Sequence, residues 1–192
     1  MGRLVVQEIV SADGFAADAD GNFTFTQKLD GPLEKWDRHQ LEWLDTVGAM
    51  ALGARTYELF SGFWPTPASA GEVIADKLNA LERYVFSTTL REAPWGALGE
   101  CRIESGDAAE AMRTIKAGLA RDVVVWGSLT LARSLFAAGE VDELRLLVTP
   151  VAIGEGRGFI PRGTQVLTLT GAATMDEGLV ELVYEVEPGA RA

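Results

Sequence analysis

Ala49-Met50-Ala51-Leu52-Gly53-Ala54-Arg55-Thr56-Tyr57-Glu58 is the stretch on which the reading of this chain turns. An apolar run suited to a buried strand meets Gly53, and a helical pattern begins at Arg55. A helix N-terminus offers unpaired backbone N–H groups and the positive end of a dipole, so it favours an anion. Gly53 permits close backbone approach. Arg55 adds a forked cationic donor matched to phosphate. The same residues also suit a plain strand-to-helix turn with a surface arginine.

Upstream, Leu4 to Val10 reads as a short strand ending in the turn signal Ser11-Ala12-Asp13-Gly14. Asp18-Ala19-Asp20-Gly21-Asn22 marks a loop; its glycine comes too early for a calcium loop and no closing Glu follows. Pro32 to Val47 has helical spacing, with Trp36, Trp43, Leu44 and Val47 near one face. Gly48 to Leu52 is a strand, Arg55 to Phe60 a short helix, and Phe63-Trp64-Pro65-Thr66-Pro67 a loop. Ile74, Leu78 and Leu81 again have helical spacing, and Tyr84 to Ser87 is a short strand.

Downstream, Asp107-Ala108-Ala109-Glu110 is a capping box, opening a helix with Ala108, Met112, Ile115 and Leu119 on one face. Asp122 to Trp126 suits a strand buried on both faces. Gly127-Ser128 starts another helix, which Ser128 is suited to cap, with Leu131 and Leu135 inward and Gly139 as the stop. Glu143 to Thr149 is a strand, Gly154 to Gly158 a glycine-rich loop, and Val166 to Thr170 and Leu179 to Glu187 two closing antiparallel strands. The alternation predicts an α/β fold over 1–192 as one domain: a mostly parallel sheet covered on both faces, finished by antiparallel C-terminal strands.

Composition narrows the function classes. A formal net charge of −11 over 192 residues argues against a nucleic-acid partner, which needs clustered Lys and Arg. The single cysteine, Cys101, leaves no internal disulfide and no multi-cysteine zinc site. No apolar run approaches the roughly 18 residues needed to span a membrane. Met1-Gly2-Arg3 leads straight into a strand, so no secretion leader is expected. The expectation is a cytoplasmic protein with no membrane partner and no metal.

In open α/β sheets ligands gather at the carboxyl ends of strands. Small polar or cationic residues follow three strands here: Gly53-Ala54-Arg55-Thr56, Ser87-Thr88-Thr89 and Gly127-Ser128-Leu129-Thr130. Each suits ordinary turn chemistry; together they favour one extended phosphorylated ligand, such as a dinucleotide. Gly154-Glu155-Gly156-Arg157-Gly158 is no Rossmann fingerprint, because it leads to Phe159-Ile160-Pro161 rather than into a helix.

The ordered set of segments resembles the dihydrofolate-reductase-like superfamily, in particular the reductase domain of the riboflavin-pathway deaminase-reductase. The matching segments are Ser11 to Ala16, Gly53 to Glu58, Val85 to Leu90, Val124 to Ser128, Val141 to Leu144 and Thr149 to Gly156. They span nearly the whole chain. No single one is specific; their order is.

The resemblance implies a three-layer α/β/α fold, NADPH as cofactor, and hydride transfer to a small pterin- or pyrimidine-like substrate. By position, Arg55 and Thr56 correspond to pyrophosphate and 2′-phosphate contacts, with Gly53 beside them. Ser87 and Thr88 correspond to 2′-phosphate contacts on the adenosine side. Gly127, Ser128 and Leu129 correspond to the loop crossing the diphosphate. The segment holding Ala12 and Phe15 lies near nicotinamide and substrate. A homodimer is expected by the same analogy.

Reduction of a C=N bond also needs a proton. Asp13 at the first strand end and Asp37 on the helix ahead of Gly53 are the candidate donors, and Trp64 is a candidate wall for a flat substrate. Trp126 stands where relatives often carry glycine. His39 and Cys101 cannot build the zinc site of the deaminase partner. The alternative expectation is a non-catalytic module that keeps the fold and binds a nucleotide or another ligand.

Overall fold

The computed structural model describes residues 2–28 and 31–187; the other positions, Met1 among them, lie outside the described residues. Eight strands form one sheet: β1 (Leu4–Val10), β2 (Val47–Gly53), β3 (Glu82–Phe86), β4 (Arg102–Glu104), β5 (Asp122–Trp126), β6 (Glu143–Val148), β7 (Leu167–Thr174) and β8 (Val180–Val186). Their spatial order is β4-β3-β2-β5-β1-β6-β8-β7. The pairs from β4 through to β6 are parallel, and β8 and β7 close the sheet in antiparallel pairs. This is the mostly parallel sheet with an antiparallel finish that the sequence predicts.

Helices cover both faces. Along β1 the side chains alternate: Val5 packs into one apolar cluster, and Leu4, Val6 and Val10 into another. The first cluster is closed by α1 (Glu34–Leu44), α2 (Ala54–Ser61) and α3 (Ala75–Ala80), through Trp43, Leu44, Tyr57 and Leu78. The second is closed by α4 (Ala108–Gly118) and α5 (Leu129–Ala137), through Met112, Ile115, Leu135 and Phe136. Because the central strands are buried on both faces, they read as continuous apolar runs.

Several boundaries differ from expectation. The helix expected over Pro32 to Val47 spans Glu34 to Leu44, and Val47 belongs to β2, where it pairs with Asp122. Its N-terminus is capped from far along the chain: Asp176 accepts hydrogen bonds from the Lys35 and Trp36 amides at 2.6 and 3.1 Å. The strand expected to stop at Thr170 continues to Thr174, with a register shift between Leu169 and Gly171. β4, a three-residue edge strand, gives no periodic signal. At the capping box, Asp107 accepts from the Glu110 amide at 2.9 Å, as expected.

Candidate active-site cleft

The carboxyl ends of β2 and β5 are neighbours, so the turns that follow them meet. Ser128 Oγ accepts a hydrogen bond from the Gly53 amide at 2.7 Å. Thr56 Oγ1 accepts from the Ser128 amide at 2.9 Å and lies 2.9 Å from Ser128 Oγ. Gly127 and Ser128 both adopt left-handed backbone, with φ of 54° and 55°. For serine this conformation costs about 1–3 kcal/mol, offset here by the paired hydroxyl. A Cβ on Gly127 would sit 3.3 Å from Thr56, tighter than ordinary contact.

One sequence expectation is corrected by this geometry. Ser128 occupies the N-cap position of α5 but makes no side-chain cap bond to it, its hydroxyl being spent on Gly53 and Thr56. Thr56 is largely buried and accepts from Ser128, which holds the two turns together, while its own O–H makes no hydrogen bond to another described residue in the cleft that it lines. Neither α2 nor α5 has a side-chain N-cap, so both leave first-turn amides for other acceptors.

A cleft of about 1210 Å³ opens at these turns and runs across the carboxyl edge of the sheet. Ligand pockets are typically roughly 300–1,000 Å³, so it has room for a dinucleotide and part of a second ligand. Arg55, Arg133 and Arg157 line it beside Gly53, Gly127 and Leu129. Arg55 and Arg157 converge on Gly21, where an added Cβ would lie 3.3 and 2.8 Å from their guanidinium nitrogens. Arg157 also donates to the Ala19 carbonyl and Arg133 to the Gly158 carbonyl. Arg55 makes no hydrogen bond or ion pair with any other described residue.

Elsewhere the cleft is aromatic and acidic. Trp36, Phe60, Trp64 and Trp126 line it together with Asp37 and Glu72. Burial holds the Asp37 carboxyl above its usual range, and the charges of Glu72 and Asp176 add to that. Trp126 packs against Trp43 and Phe60 at centroid distances of 6.3 and 6.1 Å. Its indole N–H donates to Gln7 Oε1 at 2.6 Å, and Gln7 and Gln40 exchange amide hydrogen bonds at 3.1 Å. The bulky residue at this position is thus both core and cleft wall, and it ties β5 to β1 and α1.

The sheet itself splits inside the cleft. The last pair between β1 and β5 is Gln7 with Trp126, whereas β1 stays paired with β6 through Val10. The Leu4 and Val10 carbonyls accept from the β6 side, from the Asp142 and Thr149 amides. By the alternation of a parallel ladder, Ile9 turns its own N–H and C=O toward the vacated β5 side. Glu8 and Ile9 line the cleft at this gap. Sequence reasoning missed Gln7, Glu8, Ile9 and Gln40; two polar residues inside the apolar run Leu4 to Val10 were the available signal.

Other expected site residues fall outside the cleft lining. Asp13 accepts from the Ile153 amide at 3.2 Å and the Gly154 amide at 2.7 Å. Hydrogen bonds from Ser11, Gly154 and Ile153 hold its carboxyl below the usual range, the opposite of what a proton donor requires. The Ala12 amide bonds to the Val151 carbonyl. Phe15 packs against Gly156 at the rim. Ser87 Oγ accepts from the Thr89 and Leu90 amides at 3.2 and 3.1 Å, closing its own turn, and Thr88 is exposed. Of the expected residues, the cleft gathers Gly53, Arg55, Thr56, Gly127, Ser128, Leu129, Asp37 and Trp64.

A mostly parallel sheet with an antiparallel closing pair, helices on both faces and a cleft at the carboxyl edge defines the dihydrofolate-reductase-like class. Within it, the chain belongs to the RibD C-terminal domain family, whose model matches residues 3–180. It is similar to the uncharacterized protein YyaP of Bacillus subtilis (strain 168), at 24% identity over 187 residues, covering 95% of this chain and 94% of that protein. Its fold resembles RibD of Acinetobacter baumannii, with a TM-score of 0.70 at 17% identity, covering 97% of this chain and 58% of that one. It also resembles dihydrofolate reductase from Enterococcus faecalis, solved in complex with NADP(H), with a TM-score of 0.61 at 16% identity and 97% coverage of both chains.

Proposed function

We propose that the chain is an NADPH-dependent reductase that delivers hydride to a small planar heterocycle of the pterin or pyrimidine type. The observation that carries this reading is the split between β1 and β5. It opens in one cleft that also holds the arginines and the uncapped helix ends of α2 and α5, and the aromatic, acidic wall. The residues fit such a cofactor on structural grounds. Gly127 and Gly53 bring backbone close, two helix N-termini and Arg55, Arg133 and Arg157 favour phosphate, and the Ile9 edge can pair with a carboxamide.

When bound, the cofactor supplies the hydride. The protein orients and desolvates. Trp36, Phe60, Trp64 and Trp126 give an apolar aromatic wall against which a ring can stack and exclude water. Asp37 presents a carboxyl to ring N–H groups, and its raised affinity for a proton suits it to give one up as a ring nitrogen gains electrons.

NADPH titration followed by tryptophan fluorescence tests the reading, since Trp36, Trp64 and Trp126 line the cleft. Saturable quenching that Arg55→Ala weakens supports it. No binding at millimolar NADPH contradicts it. Binding without NADPH oxidation across pterin, pyrimidine and flavin-precursor substrates would favour a ligand-binding module over a reductase.

A further inference from the structure

Glu8 stands one residue beyond the last β1–β5 pair and lines the cleft. It is only 4% exposed, and its Oε1 has no hydrogen-bond partner among the described residues. Strand alternation places it on the face that Val6 and Val10 share with α4 and α5. Its partner across β6 is Leu146, which brings no charge.

The charged groups of the surrounding elements are committed elsewhere, apart from Arg55 on α2, whose guanidinium lies with that of Arg157 beside Gly21. On α5, Arg133 bonds to the Gly158 carbonyl, and on the glycine-rich loop Arg157 bonds to that of Ala19. Asp13, after β1, is held by the Ile153 and Gly154 amides. Arg145 on β6 pairs with Glu143 and Glu181. Lys116 on α4 pairs with Asp142, and Asp122 on β5 with Arg3. Asp37 and Glu72 line the aromatic part of the cleft. None bonds to Glu8, so burial alone acts on it and pushes its carboxyl well above the usual range.

Resting on the reductase reading above, we propose that Glu8 is the proton partner of the nicotinamide ring: a neutral acid beside the reduced ring and a carboxylate beside the oxidised, cationic one. Reduced nicotinamide is uncharged, and a buried neutral acid suits it. Hydride transfer carries one hydrogen with its electron pair to the acceptor carbon and leaves one positive charge on the ring. The C=N π bond of the acceptor breaks, and its electron pair takes a proton on nitrogen. Asp37 supplies that proton, as above, and Glu8 releases its own to solvent as the ring becomes cationic, so its new negative charge faces the new positive one. The net charge of acid plus ring stays zero throughout. When oxidised cofactor binds without substrate, the same proton goes to solvent. When it leaves, the unpaired carboxylate takes a proton back.

The test needs no substrate. NADP+ and NADPH carry the same phosphates, so the ratio of their affinities isolates the ring. Both are titrated by fluorescence from about pH 6 to about pH 9, with proton release measured by calorimetry in two buffers of different ionisation enthalpy. The expected result is about one proton released per NADP+ bound and none per NADPH, with the affinity ratio rising by up to about tenfold per pH unit. Glu8→Gln should bind both ligands with a pH-independent ratio and no ring-dependent release.

A flat ratio in the native protein, or an unchanged slope in Glu8→Gln, overturns the assignment of Glu8 and leaves the reductase reading standing. Failure of both nucleotides to bind overturns the two together. Should Glu8→Gln fold poorly, carboxyl carbon resonances of the native protein decide. One glutamate must remain protonated near pH 7 and ionise when NADP+ is added, and absence of that signal contradicts the assignment.

Discussion

Glu8 lies in the apolar strand Leu4 to Val10, and its charge is what the fold tolerates least there. Its proton is held more tightly folded than unfolded. Its contribution to stability is therefore complete below the ordinary carboxyl value of 4.5 and is lost as pH rises toward the raised folded value. Glu8→Gln removes that loss, so its melting temperature should gain on the native protein steadily from acid to alkaline pH. Thermal melts across that range check this; a constant difference contradicts it. Arg55 is exposed and lines the arginine-rich part of the cleft. Arg55→Ala should leave the melting temperature nearly unchanged and weaken NADPH binding roughly tenfold or more, the scale of one charge-assisted contact. Arg55 was legible in the sequence because an arginine after Gly53 has an obvious anion chemistry. Asp13 misled because an Asp at a strand end looks equally suited to catalysis and to holding a loop. Only the distant Ile153 and Gly154 amides decide which.

At the scale of elements, the cleft depends on two turns locked by one hydroxyl pair. Ser128→Ala strips the Gly53 amide of its acceptor and leaves Thr56 only the amide of residue 128. It should cost about 1–3 kcal/mol in chemical denaturation, the penalty of leaving buried polar groups unpaired, and weaken NADPH binding as well. α1 carries Asp37 and Gln40 to the cleft, yet its cap comes from Asp176. Asp176→Ala should lower stability by about 1 kcal/mol, as for loss of an N-cap. The sequence shows where strands end and helices begin when the signal is local, as at Asp107 or Gly139. It could not show α1 starting at Glu34, because the cap lies about 140 residues away. Nor could it show β4, whose three residues carry no period, or the second half of β7, where Gly171-Ala172-Ala173 are poor strand formers.

Over the whole molecule, charge is unevenly spread. The chain carries a net −11, while one end of the cleft gathers Arg55, Arg133 and Arg157 with two helix N-termini. Affinity for a phosphorylated ligand then depends on a local field opposed by the global one, and added salt screens both. Because the cleft cations lie nearest the ligand, NADPH affinity should fall as ionic strength rises, and more steeply in the native protein than in Arg55→Ala. The mostly parallel sheet, its antiparallel finish and the layering of helices were readable from alternating patterns and the order of the segments, whereas the order of strands across the sheet was not. The split between β1 and β5 was not, since it arises from unequal strand lengths in a register that only the folded sheet displays. A crystal structure of the NADPH complex should show the diphosphate against Gly53 to Thr56 and Gly127 to Leu129, with the nicotinamide in the gap beyond Gln7 and Trp126, beside Ile9 and Glu8. A complex with the ring outside that gap, or with the cleft empty at saturating NADPH, would contradict this account.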